Sequence, residues 1–315
     1  MKENNRILIT GGAGFIGSHL CDYLLDFGCE VIVIDNMSSG HKKNIAHIID
    51  KIEFYESDIE TFELSDLEQI DCVVHLAAQT SVPKSISHFN SSSSSNLIGF
   101  INIIDFCRAN SVPLVFASSA AVYGNLSFGD DSTDIIELLS PYAVDKYTME
   151  LYAKMANSIY GLSSIALRFF NVYGERQDPK NRYSGVISIF IDQMSNKEEV
   201  TIHGGFQTRD FIYVNDVTRS IYNAINIVLD QNLYNQFNVL TGASVSINHL
   251  FNLLSNSLDY SLKPNYRELI PGDPKKSSGT VKKLNDELSL DPSTFTSLED
   301  GLLKTIQSLS VLEKI

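Results

Sequence analysis

An α/β fold, a Rossmann-type doubly wound parallel sheet with a smaller mixed lobe, is predicted by three features of this 315-residue chain. Its first half alternates short apolar runs with helix-length segments, as a parallel sheet covered on both faces requires. The first apolar run, Ile7-Leu8-Ile9, leads into Thr10-Gly11-Gly12-Ala13-Gly14-Phe15-Ile16-Gly17, which reads as strand, glycine turn and helix. The second apolar run, Val31-Ile32-Val33-Ile34, ends on Asp35.

Strands are predicted at 6–10, 30–35, 52–56, 72–76, 113–118 and 163–169, and helices at about 15–27, 93–109 and 142–160. The glycine turn points to a ligand. Gly11, Gly14 and Gly17 permit a tight turn, close backbone approach to a pyrophosphate and close helix-to-strand packing. The helix N-terminus offers that pyrophosphate free N–H groups and the positive end of a dipole. At the end of the second strand, Asp35 is placed to accept hydrogen bonds from adenosine ribose hydroxyls. A carboxylate there repels a 2′-phosphate, so NAD is the expected cofactor and NADP is disfavoured.

The run Ser140-Pro141-Tyr142-Ala143-Val144-Asp145-Lys146 starts a helix, with Ser140 as N-cap and Pro141 in the first turn. The spacing puts the Tyr142 phenol and the Lys146 ammonium on one helix face. A free tyrosine, with a pKa of about 10, is a poor base at neutral pH. A fixed positive charge favours the phenolate, so Lys146 is expected to lower the Tyr142 pKa. Such a pair can exchange a proton with a sugar hydroxyl or ketone.

The rest of the chain bounds the function. An excess of 38 acidic over 24 basic side chains argues against broad binding to nucleic acid or anionic membranes. The polar start of the chain and the absence of a long apolar run suggest neither a signal peptide nor a membrane span. Cys21, Cys29, Cys72 and Cys107 lack metal-ligand spacing and are expected to be buried free thiols of a cytoplasmic protein. His41, His47 and His88 suggest no metal site either. Ser91 to Ser95 reads as a solvated helix start, 124–141 as an acidic loop, and about 174–205 as irregular polar chain. The expected division is 1–170, with a returning segment at about 206–235, for the NAD-binding domain, and 171–205 with 236–315 for a substrate-binding lobe.

The chain also resembles the extended short-chain dehydrogenase/reductases. The resemblance rests on TGGAGFIGSHL at 10–20, HLAAQTSVPKS at 75–85, Ser118 to Gly124 (SSAAVYG) and SPYAVDK at 140–146. FFNVYGERQDP at 169–179 and TRDFIYVNDV at 208–217 narrow it to nucleotide-sugar epimerases and dehydratases. PGDPKKS and TSLEDGLLKTI extend it more weakly to the end. The resemblance implies catalytic roles for Ser119, Tyr142 and Lys146, with Ser119 bonding the reacting hydroxyl and Lys146 also holding the nicotinamide ribose. It adds Phe15, Ile16, Asn36, Ser38, Gly40, Asp58, Ile59, Leu76, Ala77, Ala78, Thr80, Asn96 and Phe170 as cofactor contacts. For a UDP-sugar it implies contacts from Ser81, Asn171, Thr201, His203, Arg209 and Ser277. Relatives often carry an arginine just before the pair that is Gly272-Asp273 here. This chain has Ile270-Pro271, with Arg267, Lys275 and Lys276 as nearby basic residues.

Sugar 4,6-dehydratases of that superfamily carry an Asp-Glu pair after the Ser/Thr, whereas this chain has Ala120 and Ala121. Alanine neither donates nor accepts a side-chain proton, so elimination lacks its acid and base. Reversible oxidation without elimination remains, which fits a 4-epimerase acting on UDP-hexoses. The alternatives are an ADP-heptose 6-epimerase, a 5-position uronate epimerase, or a non-catalytic NAD-binding regulator. The resemblance further implies a homodimer joined through helices at about 93–109 and 142–160. It also places Ser277, five residues after Gly272, where a tyrosine restricts relatives to plain hexoses. A serine leaves room for an N-acetyl group, so UDP-GlcNAc and UDP-GalNAc are expected substrates, with UDP-glucose and UDP-galactose beside them.

Overall fold

The computed structural model describes residues 4–180, 184–269 and 273–312. Its strands are β1 (Arg6–Thr10), β2 (Glu30–Asp35), β3 (Ile52–Glu56), β4 (Cys72–His75), β5 (Leu114–Ser119), β6 (Ser164–Phe169), β7 (Asn171–Tyr173), β8 (Thr201–His203), β9 (Thr208–Tyr213), β10 (Tyr234–Val239), β11 (Ser244–Ser246) and β12 (Asn265–Arg267). The helices are α1 (Phe15–Asp26), α2 (Lys42–Ile45), α3 (Val82–Ser87), α4 (Phe89–Asn110), α5 (Pro141–Tyr160), α6 (Val186–Ser195), α7 (Val214–Asp230), α8 (Ile247–Ser257), α9 (Lys282–Asp286) and α10 (Leu298–Leu312).

Seven strands form one sheet in the order β10-β6-β5-β4-β1-β2-β3. The pairs β1–β2, β2–β3, β1–β4 and β4–β5 are parallel. This is the doubly wound architecture expected from the sequence. Strand order reverses at β1, and sheets of this kind bind ligands beyond the strand ends at that reversal. The core lies where α4 and α5 cover β4 and β5. There Phe100 meets Phe116 with ring centroids 5.0 Å apart, beside buried Val73, Met149 and Ala153. Full burial of one such phenylalanine contributes about 1.5–3 kcal/mol. The catalytic-helix candidate α5 begins as predicted: Ser140 Oγ accepts from Ala143 N at 3.2 Å. It ends at Gly161, whose φ of +69° is a left-handed conformation that suits glycine.

The chain forms two compact units. The first gathers the described residues up to Val122, Leu138–Arg168 and Thr218–Phe237; the second holds Tyr123–Glu137, Phe169–Val217 and those from Asn238 onward. The returning segment therefore starts at Thr218, later than the expected 206. The reason is β9, which pairs with β7 and β11 in the second unit's three-stranded sheet. Segment 123–137 joins the second unit through its own bonds: Gly129 N donates to Ser278 O at 2.8 Å, and Tyr123 Oη donates to Asn238 Oδ1 at 2.7 Å.

Two local expectations need correction. Ser91–Ser95 lies inside α4, which starts at Phe89, and Ser92 is fully buried rather than solvated. The stretch 174–205 is not irregular throughout, since it contains α6, which buries Ile187, Phe190, Ile191 and Met194. The four cysteines are buried and free. Among the described residues no helix is long and apolar enough to cross a membrane.

Candidate functional site

The glycine turn sits beside β4. Gly11, at φ +75°, lies so near the next strand's exit that an added Cβ would fall 2.8 Å from Ala77 N. At Gly17 a Cβ would fall 2.2 Å from Gly11 O, so any side chain would push α1 off the turn. Gly14 occupies the N-cap of α1 and offers no capping side chain. The first-turn N–H groups, at Phe15 and Ile16 among them, are thus left to a ligand.

Asp35 is buried at the end of β2 and its carboxylate is already oriented. Oδ2 accepts from Ala13 N at 2.9 Å and Oδ1 from Met37 N at 2.8 Å. Burial pushes its pKa up, and those backbone bonds pull it back down. Each carboxylate oxygen keeps a further lone pair. Gly40 packs against the same carboxylate, where a Cβ would stand 2.8 Å from Oδ1. Asn36 Nδ2 donates to Asp58 Oδ2 at 3.1 Å, and Asn36 Oδ1 accepts from Ser38 N at 3.0 Å, so these three expected contacts form one local group. The Ile59 side chain is buried in the core against Gly99.

The loop after β4 is held by buried polar atoms. Leu76 N donates to Thr10 O at 3.1 Å and Ala77 N to Thr10 Oγ1 at 3.2 Å. Ala78 is half-buried and Thr80 exposed. Asn96 of α4 is buried and bonds the Gln79 backbone. Ser81 caps α3, accepting from Lys84 N at 3.1 Å.

Ser119 ends β5 and Tyr142 opens α5. Ser119 Oγ accepts from Ala121 N at 3.1 Å and lies near enough to Tyr142 to draw its pKa down. Lys146 is buried and donates from Nζ to Ala117 O at 2.8 Å. Its Nζ lies 5.8 Å from the Tyr142 ring centroid. The structure therefore brings the three candidate catalytic residues together, but it corrects one expectation. The Tyr142 pKa is not lowered: burial pushes it up to about 12, while nearby Ser119 pulls it down and the charge of Asp145 adds to the rise. The lysine does not offset this. Burial depresses it to about 8, with Asp145 opposing that fall, and its donor is turned to a carbonyl. After Ser119 the chain makes a 3-10 turn over Ala120–Tyr123, so neither alanine adds an ionisable group.

The second unit carries the expected substrate residues. Arg209 on β9 is nearly buried and forms an ion pair with Asp273. Its Nη1 donates to Thr208 O and Pro274 O, both at 2.8 Å. Asp273, rather than Asp210 or Asp216, is thus its acidic partner. Asn171 Nδ2 donates to Asp210 O at 3.0 Å. Thr201 and His203 lie on β8, and the His203 ring bonds Glu268 O at 3.2 Å. Ser277 is half-buried, and its N donates to Thr208 O at 3.1 Å, next to Arg209. Phe170, expected at the cofactor, is buried in this unit with its ring 6.4 Å from Tyr123. The Ile270-Pro271-Gly272 segment, from which Ser277 is counted, lies outside the described residues.

Sequence reasoning missed Gln79, Ser85, Ser92 and Asp145, which tie the loop after β4 to α3, α4 and α5. Three of them lie inside quoted motifs, but no spacing rule marks a side chain whose hydrogen-bond partner is brought to it only by the fold.

Comparison with known proteins shows the family of the chain. The NAD dependent epimerase/dehydratase family model matches residues 7–239. A putative UDP-glucose 4-epimerase of Methanocaldococcus jannaschii is 37% identical, covering 95% of this chain and 97% of that protein. Two solved structures are similar along nearly all of their length. One is the UDP-glucose 4-epimerase of Thermotoga maritima with UDP-glucose, at TM-score 0.91 and 36% identity, covering 98% of this chain and 99% of that one. The other is the UDP-N-acetylglucosamine 4-epimerase of Methanobrevibacter ruminantium in complex with UDP-N-acetylmuramic acid, at TM-score 0.92 and 34% identity, covering 99% and 100%. The chain belongs to the NAD dependent epimerase/dehydratase family and is an NAD-dependent enzyme.

Proposed function

We propose that this enzyme epimerises UDP-hexoses at C4, interconverting UDP-GlcNAc with UDP-GalNAc and also UDP-glucose with UDP-galactose. The observation that carries this reading is the grouping of Ser119 and Tyr142 beside buried Lys146, with Ala120 and Ala121 following Ser119. The group can move one proton at a sugar hydroxyl but has no second acid or base for elimination. The uncapped α1 N-terminus and the Asp35 carboxylate fit a dinucleotide. When bound, NAD supplies the reversible oxidising power at the sugar carbon. Tyr142 takes the O4 proton, keeps it during the lifetime of the 4-keto sugar, and returns it to the opposite epimer. Ser119 orients O4. The ammonium of Lys146 opposes the desolvation that holds Tyr142 protonated, provided ligand binding turns it from Ala117 O.

Arg209 is the proposed diphosphate contact, its planar donors matching phosphate oxygens once Asp273 yields. Asn171 joins it, and Thr201 with His203 packs on the uracil. The half-buried Ser277 beside Thr208 supports its reading as the wall at the sugar C2 substituent. We also propose a homodimer. Val144, Leu151, Met155 and Ile159 expose an apolar stripe on α5, with Ile98 and Ile101 on α4, against which α5 packs. Sedimentation at twice the chain mass is expected.

The test is incubation of the purified protein with each UDP-sugar and NMR identification of the products. Conversion at C4 supports the reading. No change in any UDP-hexose, or change at C5 or C6, removes it.

A further inference from the structure

Within the first unit, a circuit of hydrogen bonds leaves α5 and returns to it. Tyr142 N donates to Ser85 Oγ of α3 at 3.2 Å. Ser81 caps that helix and is gripped by Gln79: Ser81 N donates to Gln79 Oε1 at 2.6 Å, and Ser81 O accepts from Gln79 Nε2 at 3.0 Å. Gln79 Nε2 also donates to Ser92 Oγ of α4 at 2.8 Å. The Gln79 backbone pairs with one side chain: Gln79 N donates to Asn96 Oδ1 at 2.8 Å, and Asn96 Nδ2 donates to Gln79 O at 3.2 Å. The other hydrogen of that amide goes to Asp145 Oδ2 at 3.1 Å, back on α5.

Asn96 and Asp145 are 1% and 2% exposed, so water does not substitute for either partner. The proposed chemistry uses neither carboxylate oxygen of Asp145, and a buried charge is costly unless it is hydrogen-bonded. An ionised carboxylate only accepts hydrogen bonds. It therefore dictates that the NH₂ end of Asn96 faces α5. In that orientation the amide also matches both backbone groups of Gln79. Flipped, it would set oxygen against oxygen at Asp145 and at Gln79 O.

We propose that Asp145 is a positioning residue: by fixing the orientation of Asn96 it locks the loop Leu76–Ser81 onto the helix that carries Tyr142 and Lys146. The consequence for NAD rests on the reading of that loop as part of the cofactor site. Asp145→Leu is similar in size and lacks an acceptor, whereas Asp145→Asn keeps one.

Two measurements test this. Hydrogen exchange of the Gln79 and Ser81 amides in the cofactor-free protein reads the loop itself, and calorimetric titration with NAD reads the site. Asp145→Leu is expected to cut protection of both amides, and to weaken NAD binding, by about tenfold or more, as for loss of a bond to a charged group. Asp145→Asn is expected to restore both to within about threefold, because an acceptor returns. Unchanged protection in Asp145→Leu overturns the proposal, as does an Asn variant as damaged as the Leu variant. Lost protection with unchanged NAD affinity upholds the positioning role and instead removes the loop from the cofactor site. If the Leu variant fails to fold, Asp145→Ser, whose hydroxyl stops short of Asn96, takes its place in both measurements.

Discussion

The two units hold their candidate residues in different ways. In the first, the candidate side chains gather near one another: Ser119 draws down the Tyr142 pKa, and Lys146 lies buried with its Nζ 5.8 Å from the Tyr142 ring centroid. In the second, the candidates rest on the unit's own groups. Arg209 is paired with Asp273 and two carbonyls, Asn171 bonds Asp210 O, and His203 bonds Glu268 O. The difference suggests a division of labour. On the proposed function, the reactive group is built before ligand arrives, while the second unit's candidate residues would exchange internal partners for a UDP-sugar. Changes at Ser119, Tyr142 and Lys146 should therefore act on turnover, and changes in the second unit on affinity and selectivity for the sugar nucleotide.

The largest expected break is Tyr142→Phe. It removes the proton carrier but not the buried ring, so fold and bound NAD should persist while turnover falls at least ~100-fold. Steady-state kinetics with quantified cofactor content checks this, and near-normal turnover would remove Tyr142 from the mechanism. The second unit is probed by Ser277→Tyr. Overpacking typically costs ~1–3 kcal/mol, so the N-acetylated pair should lose about tenfold or more in kcat/KM while the plain hexoses are spared. Equal effects on both pairs would count against Ser277 as the wall.

The smallest effect is on stability. Buried Lys146 titrates near 8 in the folded protein, against about 10.4 in an unfolded chain. Between those values the unfolded chain binds more protons, so this group's contribution to stability rises with pH. The burial penalty is fully present below about pH 8 and fades towards about 10.4. Urea unfolding of the cofactor-free protein should thus show wild type gaining on Lys146→Met between pH 7 and pH 9. A constant gap would mean that Lys146 is not depressed. Tyr142 does not interfere, since its effect begins only above about pH 10.

The same contrast governs what was legible in the chain. The six predicted strands fell within a residue of prediction, because short continuous apolar runs mark strands buried on both faces, whereas β10, the seventh strand of that sheet, was not predicted. The α5 start was legible to the residue, since Ser140 and Pro141 are strong local signals. Ser91–Ser95 was misread because serine's weak helix propensity was overridden by tertiary contacts, with Ser92 bonded to Gln79. Helix α6 was missed because its apolar residues sit in a polar stretch without a capping side chain. The pKa of Tyr142 was misjudged for a different reason. Spacing reveals which charges share a helix face, but not how deeply they are buried or where a donor turns. The circuit through Asp145 was illegible for a related reason, as it depends on a loop backbone brought to α4 by the fold.

The central claim is oxidation and reduction at C4 without elimination, with one side chain moving the proton. Running the UDP-GlcNAc incubation in D₂O tests it most directly. UDP-GalNAc with its carbon-bound hydrogens unlabelled is expected, because the hydrogen removed from C4 is the one returned and Tyr142 exchanges only the O4 proton. Deuterium at C5 or C6 of the product, or loss of water from the sugar, would contradict it.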